Sequence, residues 1–274
     1  MSKNNPKLIG NAHRHMHSFG APQPAASPSL PKTAADETLD TLFAGRLKLY
    51  QGRFGYRFSV DSILLAYFTT VRPAETVMDL GAGNGVLSLI LAYLHPSISI
   101  TGLEIQQSMA ERGARNILLN RYEDRVKIAQ LDVSSVSDHF TSGSFDAVVC
   151  NPPYRRLRSG RISQSSERRI ARHETNATLD DFVGSAAFLL AAKGRFTCIY
   201  LSDRAVDLLE AMRCAGIEPK RMRMVHPFVG ADASMILAEG VKGGRCGVTV
   251  LPPLVIYNAP GSYSAEVKDL LSGL

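Results

Sequence analysis

The sequence contains no apolar run long enough to cross a lipid bilayer. The longest largely apolar stretch, residues 86–94, ends at His95-Pro96, well short of the roughly 18–20 residues that a membrane helix needs. The first 20 residues also lack the apolar core of a secretory signal. We therefore expect neither a membrane span nor export, and we predict a cytoplasmic protein.

Cysteine is also scarce. The chain has four cysteines, and no two of them stand at the spacing of metal ligands: Cys150, Cys198, Cys214 and Cys246. So few cysteines in 274 residues exclude a disulfide-dense secreted scaffold and favour a reducing compartment. His13, His15 and His17 lie in a segment without a predicted scaffold, so we predict no metal site.

The chain has enough apolar residues for a substantial core. Hydrophobic residues make up 45% and charged residues 20%, which is the composition of a folded domain. Residues 1–36 differ from the rest, because Pro22, Pro24, Pro28 and Pro31 stand there among alanines and serines with no apolar period. We predict a disordered tail over 1–36 and a single domain over 37–274, in which residues 37–75 form an N-terminal cap segment.

The formal net charge of +6 is concentrated in two segments. Residues 1–35 carry four basic side chains and no acid, and residues 155–172 carry seven arginines against one glutamate. Because these two segments contribute +4 and +6, the rest of the chain carries −4. An arginine cluster within one loop suggests contact with phosphate groups.

Short β-branched runs alternate with helical stretches along most of the chain. Strands are predicted at 76–79, 98–104, 126–131, 145–150 and 195–201, and helices at 60–68, 85–94, 108–122, 179–192 and 205–215. Ser59 is the predicted N-cap of the first helix. Strands separated by helices require crossover connections and a parallel sheet buried on both faces. The predicted fold is a doubly wound, Rossmann-like α/β domain, to which runs at 222–226, 234–239 and 248–257 add an antiparallel ending.

A glycine-rich loop follows the first strand of this sheet. Residues 79–85 read Asp-Leu-Gly-Ala-Gly-Asn-Gly, which differs from the G-x-G-x-x-G spacing of dinucleotide sites. Ligands of open α/β sheets bind beyond the carboxyl ends of the strands, where glycines let the backbone approach them. Glu104 ends the second strand, 25 residues after Asp79, and its carboxylate suits the paired hydroxyls of a ribose.

The fourth strand ends in Asn151-Pro152-Pro153-Tyr154. Two prolines cannot continue a strand, and they hold their carbonyl groups in fixed directions. An asparagine amide oxygen and a proline carbonyl can together accept both hydrogens of an exocyclic NH₂ group, while a tyrosine ring can stack on a flat π system. The tetrapeptide therefore predicts a site for a planar amino group.

The combination of these motifs resembles the Rossmann-fold S-adenosylmethionine methyltransferases of the N-P-P-Y class, which modify planar amino groups. The resemblance implies a class I methyltransferase fold with S-adenosylmethionine as the cofactor. It assigns the methionine and ribose part to Asp79, Gly81, Gly83 and Gly85, the ribose hydroxyls to Glu104, the cofactor adenine to Asp132, and the target nitrogen to Asn151, Pro152 and Tyr154. The resemblance also implies that Asn151 takes part in cofactor binding.

Members of this class modify adenine N6, guanine N2 or the glutamine side chain of release factors. Residues 50–66, His226-Pro227-Phe228 and the segments 238–244 and 251–257 resemble the family that methylates adenine N6 in a valine tRNA next to the anticodon. The similarity extends from about residue 46 to the C-terminus, and the tail over 1–36 has no counterpart in the family. The resemblance implies a tRNA adenine-N6 methyltransferase.

The arginine cluster directly after Tyr154 fits a nucleic-acid substrate, because phosphates flanking an extruded nucleotide would lie there. We predict that tRNA is bound by Arg155, Arg156, Arg158 and Arg161. His173 follows the cluster, but an oriented amine that attacks a sulfonium does not require deprotonation beforehand, so we assign His173 no catalytic role.

Three alternatives remain open at this stage. A protein glutamine methyltransferase and an rRNA guanine-N2 methyltransferase use the same N-P-P-Y chemistry, although the glutamine enzymes carry a folded helical domain where this chain has its proline-rich tail. The third alternative, a noncatalytic RNA-binding module, belongs to another class. The intact Asp79, Asn151 and loop glycines argue against it.

Overall fold

The computed structural model describes residues 36–54, 60–154 and 177–273, all of which belong to the unit Pro31–Leu274. The predicted tail over 1–36 lies outside these ranges apart from its last residue, and so does Ser59, the predicted N-cap.

The secondary structure elements are numbered here in chain order. The strands are β1 Glu37–Leu42, β2 Leu47–Gly52, β3 Thr76–Leu80, β4 Ser99–Glu104, β5 Val126–Gln130, β6 Phe145–Cys150, β7 Leu190–Leu201, β8 Ile217–His226, β9 Met235–Lys242, β10 Thr249–Val250, β11 Leu254–Val255, β12 Tyr257–Ala259 and β13 Ser262–Tyr263. The helices are α1 Val60–Phe68, α2 Val86–Leu94, α3 Gln107–Leu119, α4 Val136–His139, α5 Leu179–Leu189, α6 Ala205–Cys214 and α7 Ala265–Ser272. The alternation of Leu47 and Leu49 indicated β2, but no sequence pattern predicted β1, β13, α4 or α7.

The main sheet has the strand order β10-β8-β9-β7-β6-β3-β4-β5, with β11 beside β8. From β5 to β7 all neighbouring strands are parallel, as the predicted crossover connections require. The chain first builds outward from β3 to β4 and β5, and then returns to the other side of β3 to form β6. The order therefore reverses between β3 and β6, and such a switch point is where ligands bind in open α/β sheets.

The antiparallel ending of the sheet is formed by β9, which runs opposite to both β7 and β8. The prediction for residues 248–257 was wrong in detail, because this segment is not a continuous antiparallel strand. It is divided into β10 and β11, which pair with β8 in parallel, and the start of β12. Pro252 and Pro253 separate the pieces, since proline has no N–H to donate to a ladder.

Buried apolar side chains cover both faces of the central strands. Val77 and Val149 belong to a core shared with α1, α2 and α7, whereas Met78 and Val148 belong to a core shared with α5 and α6. Successive residues of a strand point to opposite faces, so alternate side chains enter different cores. The near-continuous apolar run of β6 follows from this double burial.

The junction between α5 and β7 differs from its predicted position. The helix ends at Leu189 instead of residue 192, and the strand begins at Leu190 instead of residue 195. Ala191 and Ala192 favour a helix by intrinsic propensity, but Lys193 has a φ of 64° and the ladder to β6 is irregular here. Entry into the sheet overrides local propensity at this boundary.

A β-hairpin formed by β1 and β2 precedes the main sheet. Glu37 begins β1, and its buried carboxylate accepts a hydrogen bond from Arg112 Nε of α3 at 2.8 Å. Arg115, one turn further along α3, pairs with the same carboxylate oxygen. The hairpin is therefore anchored to α3 by a buried ion pair between residues 75 positions apart.

Asn116 of α3 joins the hairpin to the glycine-rich loop. Its Oδ1 accepts the Tyr50 N–H at 2.7 Å, and its Nδ2 donates to the carbonyl oxygens of Tyr50 at 3.1 Å and Asn84 at 2.9 Å. The side chain is fully buried, so these bonds satisfy polar groups that water cannot reach. Asn116 thus links the loop after β3 to the N-terminal cap segment.

Candidate functional site

A cavity of about 440 Å³ lies at the carboxyl ends of β3 to β6, at the switch point of the sheet. The ladder brings these strand ends level, because Leu80 pairs with both Leu103 and Cys150. The cavity is lined by most of the site residues singled out from the sequence: Asp79, Gly81, Gly83, Glu104, Asp132, Asn151, Pro152 and Tyr154. Its volume lies within the range of about 300–1,000 Å³ that is usual for small-molecule sites.

The glycine loop forms the floor of one end of this cavity. Gly81 and Gly83 have φ values of 77° and 56°, a backbone region that favours glycine. The N–H groups of Gly81 and Ala82 donate to the Leu103 carbonyl at 2.9 and 2.8 Å, which fastens the loop to β4. A side chain at Gly81 would also contact the Phe182 ring at 3.4 Å.

Gly85, the third glycine of the motif, is not among the residues that line the cavity. It is the N-cap of α2 with a φ of 80°, and a Cβ there would lie 3.4 Å from the Gly113 Cα of α3. Its position indicates a packing role, because it lets the loop approach α3 closely. The resemblance had assigned Gly85 to the cofactor.

Asp79 places a buried carboxylate beside the loop. The residue is 1% exposed, and its Oδ2 accepts a hydrogen bond from Ser88 Oγ at 2.7 Å. Burial raises the pKa of the Asp79 carboxyl from 3.8 to about 7; the hydrogen bonds from Ser88 act against this rise and the Glu104 carboxylate adds to it. A cationic group in the cavity would relieve this penalty, since opposite charge favours the ionised form.

Glu104 connects two loops through its carboxylate. Oε2 accepts the Gly83 N–H and Oε1 accepts the Gln106 N–H, each at 2.9 Å. These bonds fix the orientation of a side chain that is 7% exposed. A carboxylate oxygen can accept more than one hydrogen bond, so this arrangement also allows hydroxyl donors from a ligand in the cavity.

Asp132 and a group of apolar residues also line the cavity. Asp132 Oδ1 accepts the Ser134 N–H at 2.9 Å and so caps a short 3₁₀ turn. The apolar lining, which no sequence motif singled out, includes Ile105, Met109, Leu131, Val133 and Phe182. Ile105, Leu131 and Val133 directly adjoin predicted site residues, which is a usable signal. Phe182 comes from α5, and nothing in its local sequence marks it.

Asn151 and Tyr154 form the opposite end of the cavity. The Tyr154 hydroxyl donates to Asn151 Oδ1 at 2.7 Å, and the Tyr154 ring lies against the Tyr200 ring with centroids 6.1 Å apart. Pro152 follows Asn151 in the chain; it is buried, and its ring makes the turn rigid. An amide oxygen, a fixed turn and an aromatic face are thus combined at the cavity rim.

Helix α1 contributes to this end as well, which the sequence analysis did not predict. Ser62 lines the cavity, and Asp61 Oδ2 lies 3.5 Å from the Tyr154 hydroxyl oxygen. Asp61 and Tyr154 are 93 positions apart, so no spacing rule could have connected them. The predicted tRNA contacts Arg155, Arg156, Arg158 and Arg161, and also His173, lie outside the described residues.

The sheet with its switch-point cavity, two acidic strand ends and glycine loop is that of a class I S-adenosylmethionine-dependent methyltransferase. Residues 57–204, more than half of the chain, match the family model described as Methyltransferase small domain, and the chain belongs to this family. No helix among the described residues is long and apolar enough to span a membrane.

Curated relatives cover most of the chain. The tRNA1(Val) (adenine(37)-N6)-methyltransferase of Phocaeicola vulgatus is 28% identical over 220 residues, which cover 80% of this chain and 90% of the relative. A protein of the same name from Vibrio campbellii is 30% identical over 225 residues, or 82% and 91% of the two chains. Among solved structures, the predicted O-methyltransferase Atu636 from Agrobacterium tumefaciens has a TM-score of 0.64 at 22% identity, covering 77% of this chain and 95% of its own. At that identity the likeness shows the fold alone.

Proposed function

We propose that the enzyme transfers a methyl group from S-adenosylmethionine to N6 of an adenine in tRNA, next to the anticodon of a valine tRNA. The observation that carries this proposal is the Asn151–Tyr154 turn at the rim of the cofactor cavity, in a chain whose relatives are named for adenine 37 of tRNA1(Val). A tRNA substrate also supports a cytoplasmic location.

The end of the cavity around Asp79 fits the cofactor. The Asp79 carboxylate would hold the cationic amino group of the methionine part. Asp79 is only 1% exposed, and a positive charge beside it would offset the cost of burying its negative charge. Glu104 would accept the ribose hydroxyls with lone pairs not used by the Gly83 and Gln106 amides. Asp132 and the apolar lining would hold the adenine, while Gly81 and Gly83 let the backbone approach. S-adenosylmethionine supplies a methyl group activated by a positively charged sulfur.

The end around Asn151 would hold the target amine. The N6 lone pair of adenine is delocalised into the ring, which makes it a poor nucleophile. Acceptance of its two hydrogens by Asn151 Oδ1 and the Pro152 carbonyl favours a pyramidal nitrogen and stabilises the positive charge that develops during attack. Tyr154 would stack on the base, and alignment of nitrogen, methyl carbon and sulfur supplies much of the remaining rate enhancement.

The substrate base must leave its stack to reach this site. Extrusion costs a few kcal/mol, and less in a single-stranded anticodon loop than in a duplex. The basic segment after Tyr154 would bind the flanking phosphates through Arg155, Arg156, Arg158 and Arg161.

Methylation of total tRNA tests the proposal. Purified protein is incubated with labelled S-adenosylmethionine and total tRNA, and the nucleosides are separated by mass spectrometry. We expect label in N6-methyladenosine. Parallel incubations replace the tRNA by rRNA or by a release factor, and label there in N2-methylguanosine or in a glutamine would replace the proposed substrate by one of its chemical alternatives. Cofactor binding without methyl transfer to any of these would favour a noncatalytic RNA-binding module.

The phosphate contacts have a separate test. Each contact that is removed should flatten the log–log salt dependence of tRNA binding by roughly 0.7–0.9. Changing Arg155, Arg156 and Arg158 together to Gln should therefore flatten it by about 2–3 if all three bind phosphates. The matched control changes three exposed arginines elsewhere, Arg121, Arg213 and Arg245, to Gln. Equal slopes for the two triple variants would remove the cluster from the binding site.

A further inference from the structure

The Tyr154 hydroxyl lies within reach of two side-chain oxygens that can accept its hydrogen. In the structure it donates to Asn151 Oδ1 at 2.7 Å, and Asp61 Oδ2 lies 3.5 Å from the same hydroxyl oxygen. All three residues are partly buried, so their polar atoms interact in surroundings less polar than bulk water. A phenol carries a single hydrogen, which it can donate at full strength to one acceptor at a time.

The present bond competes with the proposed chemistry. Asn151 Oδ1 is the atom that would accept a hydrogen of the target amine and the positive charge that develops on it. While the phenol donates to the same oxygen at 2.7 Å, it withdraws electron density and occupies one of its two lone pairs. If the phenol hydrogen moves elsewhere, both lone pairs of Asn151 Oδ1 and its full electron density become available to the amine.

Asp61 offers the place to which this hydrogen can move. It stands in the first turn of α1, with its Oδ2 3.5 Å from the Tyr154 hydroxyl oxygen. Rotation of the hydroxyl about its bond to the ring, with a small shift of the ring, would turn the hydrogen from the amide to the carboxylate. A hydrogen bond to a carboxylate is about twice as strong as one to a neutral amide, so the exchange does not leave the phenol weakly bonded.

We propose that Asp61 is a positioning residue for methyl transfer. It accepts the Tyr154 hydroxyl when an amine enters the site, and so leaves Asn151 Oδ1 to the amine. This inference rests on the proposed function only in that the substrate presents a planar amine to Asn151. It assigns to α1 a part in catalysis, although α1 contributes none of the residues of the N-P-P-Y turn.

A double-mutant cycle tests the proposal. Asp61→Asn keeps the side-chain shape but replaces the carboxylate by a weaker acceptor, so the single-turnover rate at saturating tRNA should fall about fivefold to tenfold. The dissociation constants of S-adenosylmethionine and tRNA should stay within about twofold. Tyr154→Phe removes the competing hydroxyl. In that background, Asp61→Asn should change the rate by less than about twofold.

The control separates positioning from helix stability. Asp180→Asn removes a carboxylate from the first turn of α5, which leaves the site intact but costs the same helix-dipole interaction. Its melting temperature should fall as much as that of Asp61→Asn, with an unchanged rate. An Asp61→Asn effect of equal size with and without the Tyr154 hydroxyl would overturn the proposal. So would an effect confined to tRNA affinity.

The double-mutant cycle tests the role of Asp61 separately from the identity of the substrate. It is run on the substrate that the wild-type protein methylates, whether adenine, guanine or glutamine, because each presents an amine to Asn151. A guanine or glutamine product refutes the proposed substrate while the cycle still decides the role of Asp61. A wild-type protein that methylates none of the three contradicts both.

Discussion

The two ends of the cavity are held in different ways. At the end with Asp79, Glu104 and Asp132, which we propose binds the cofactor and call the cofactor half, most carboxylate contacts are with main-chain N–H groups: those of Gly83 and Gln106 for Glu104 and that of Ser134 for Asp132, whereas Asp79 accepts the Ser88 hydroxyl. At the end with Asn151, Tyr154 and Asp61, which we propose receives the target amine and call the target half, the contacts run between side chains.

This difference indicates a division of labour. Main-chain donors at strand ends are fixed by the sheet, so the cofactor half is preorganised before a ligand arrives. Side-chain partners can exchange by rotation of one hydroxyl group, so the target half can change its hydrogen bonds when a substrate enters. Preorganisation suits a ligand bound in a single way, and exchange suits a substrate that must be received and released.

The largest expected effect concerns the support of the cofactor half by the hairpin. Glu37→Gln removes the carboxylate that pairs with the buried Arg112, so the free energy of unfolding should fall by about 3–5 kcal/mol. The control is Glu218→Gln. Glu218 Oε2 lies 3.3 Å from Arg213 Nε, and the Arg213 side chain is 63% exposed, so loss of this pair should cost less than about 1 kcal/mol. Urea unfolding of both variants measures the difference. Equal losses would mean that the buried pair contributes no more than a surface pair.

Loss of the Asn151 amide should affect the target half alone. Asn151→Ala removes an acceptor for the developing charge, and the methyl-transfer step should slow by about 10²–10³. The affinity for S-adenosylmethionine should change far less, because the amide would face the target amine. Single-turnover rates and titration calorimetry measure the two quantities, with Asn258→Ala, at an exposed position, as the control. A variant with a normal rate, or with cofactor binding reduced as much as turnover, would erase the distinction between the two halves.

Glu104 offers the reciprocal test in the cofactor half. Glu104→Gln keeps the side-chain volume but substitutes an NH₂ group for one oxygen that accepts a main-chain N–H. S-adenosylmethionine binding should weaken by roughly 1.5–3 kcal/mol, the range for a hydrogen bond to a charged group. Glu123→Gln, at an exposed position after α3, is the matched control. Calorimetry that finds unchanged affinity would leave Glu104 with a purely structural role.

The smallest effect is a pH dependence that belongs to Asp79. Since the pKa of Asp79 is raised to about 7, the carboxyl of the free protein gains a proton below that pH and loses its attraction for a cation. Cofactor affinity should therefore fall, by up to about tenfold per pH unit below 7. Asp79→Asn should bind more weakly and show a flatter profile. An equally steep profile in the variant would assign the titration to another group.

The same shift predicts how folding stability depends on pH. Between its usual pKa of 3.8 and the folded value of about 7, Asp79 binds a proton in the folded state but not in the unfolded chain. The contribution of Asp79 to stability is therefore present at low pH and is lost as the pH rises through this window. Asp79→Asn should gain stability relative to the wild type as the pH rises from 4 to 7, which thermal melts across that range would measure.

Local sequence was sufficient for most of the cofactor half. Asp79, Glu104 and Asp132 each lie at or just beyond the end of a parallel strand, and the parallel connection makes those ends coincide. Their positions follow from a pattern of strands and helices that each segment encodes by itself. The glycine at 85 shows the limit of this reasoning, because the motif included it for the ligand whereas the structure uses it to pack against α3.

Other features depended on contacts that no segment encodes alone. Residues 37–42 have a mixed pattern of buried and exposed residues. They form a strand because they pair with β2 and because Glu37 forms ion pairs with the arginines of α3. The 248–257 run has the composition of one strand, but its two prolines break the ladder into short parallel pieces. Pairing partners decided that residues 37–42 form a strand and that the pieces of the 248–257 run pair in parallel, and partners are not visible in a local pattern.

The sequence by itself determined the class of enzyme, since a glycine loop after a strand, an acid on the next strand and the Asn151–Tyr154 turn are short-range signals tied to strand ends. The tertiary structure alone decided what completes the site. It brought Phe182 over Gly81 and Asp61 to within 3.5 Å of a hydroxyl 93 positions away. The physical reason is that strand ends are aligned by main-chain hydrogen bonds common to every parallel sheet, whereas helices pack through side-chain contacts that are specific to this chain.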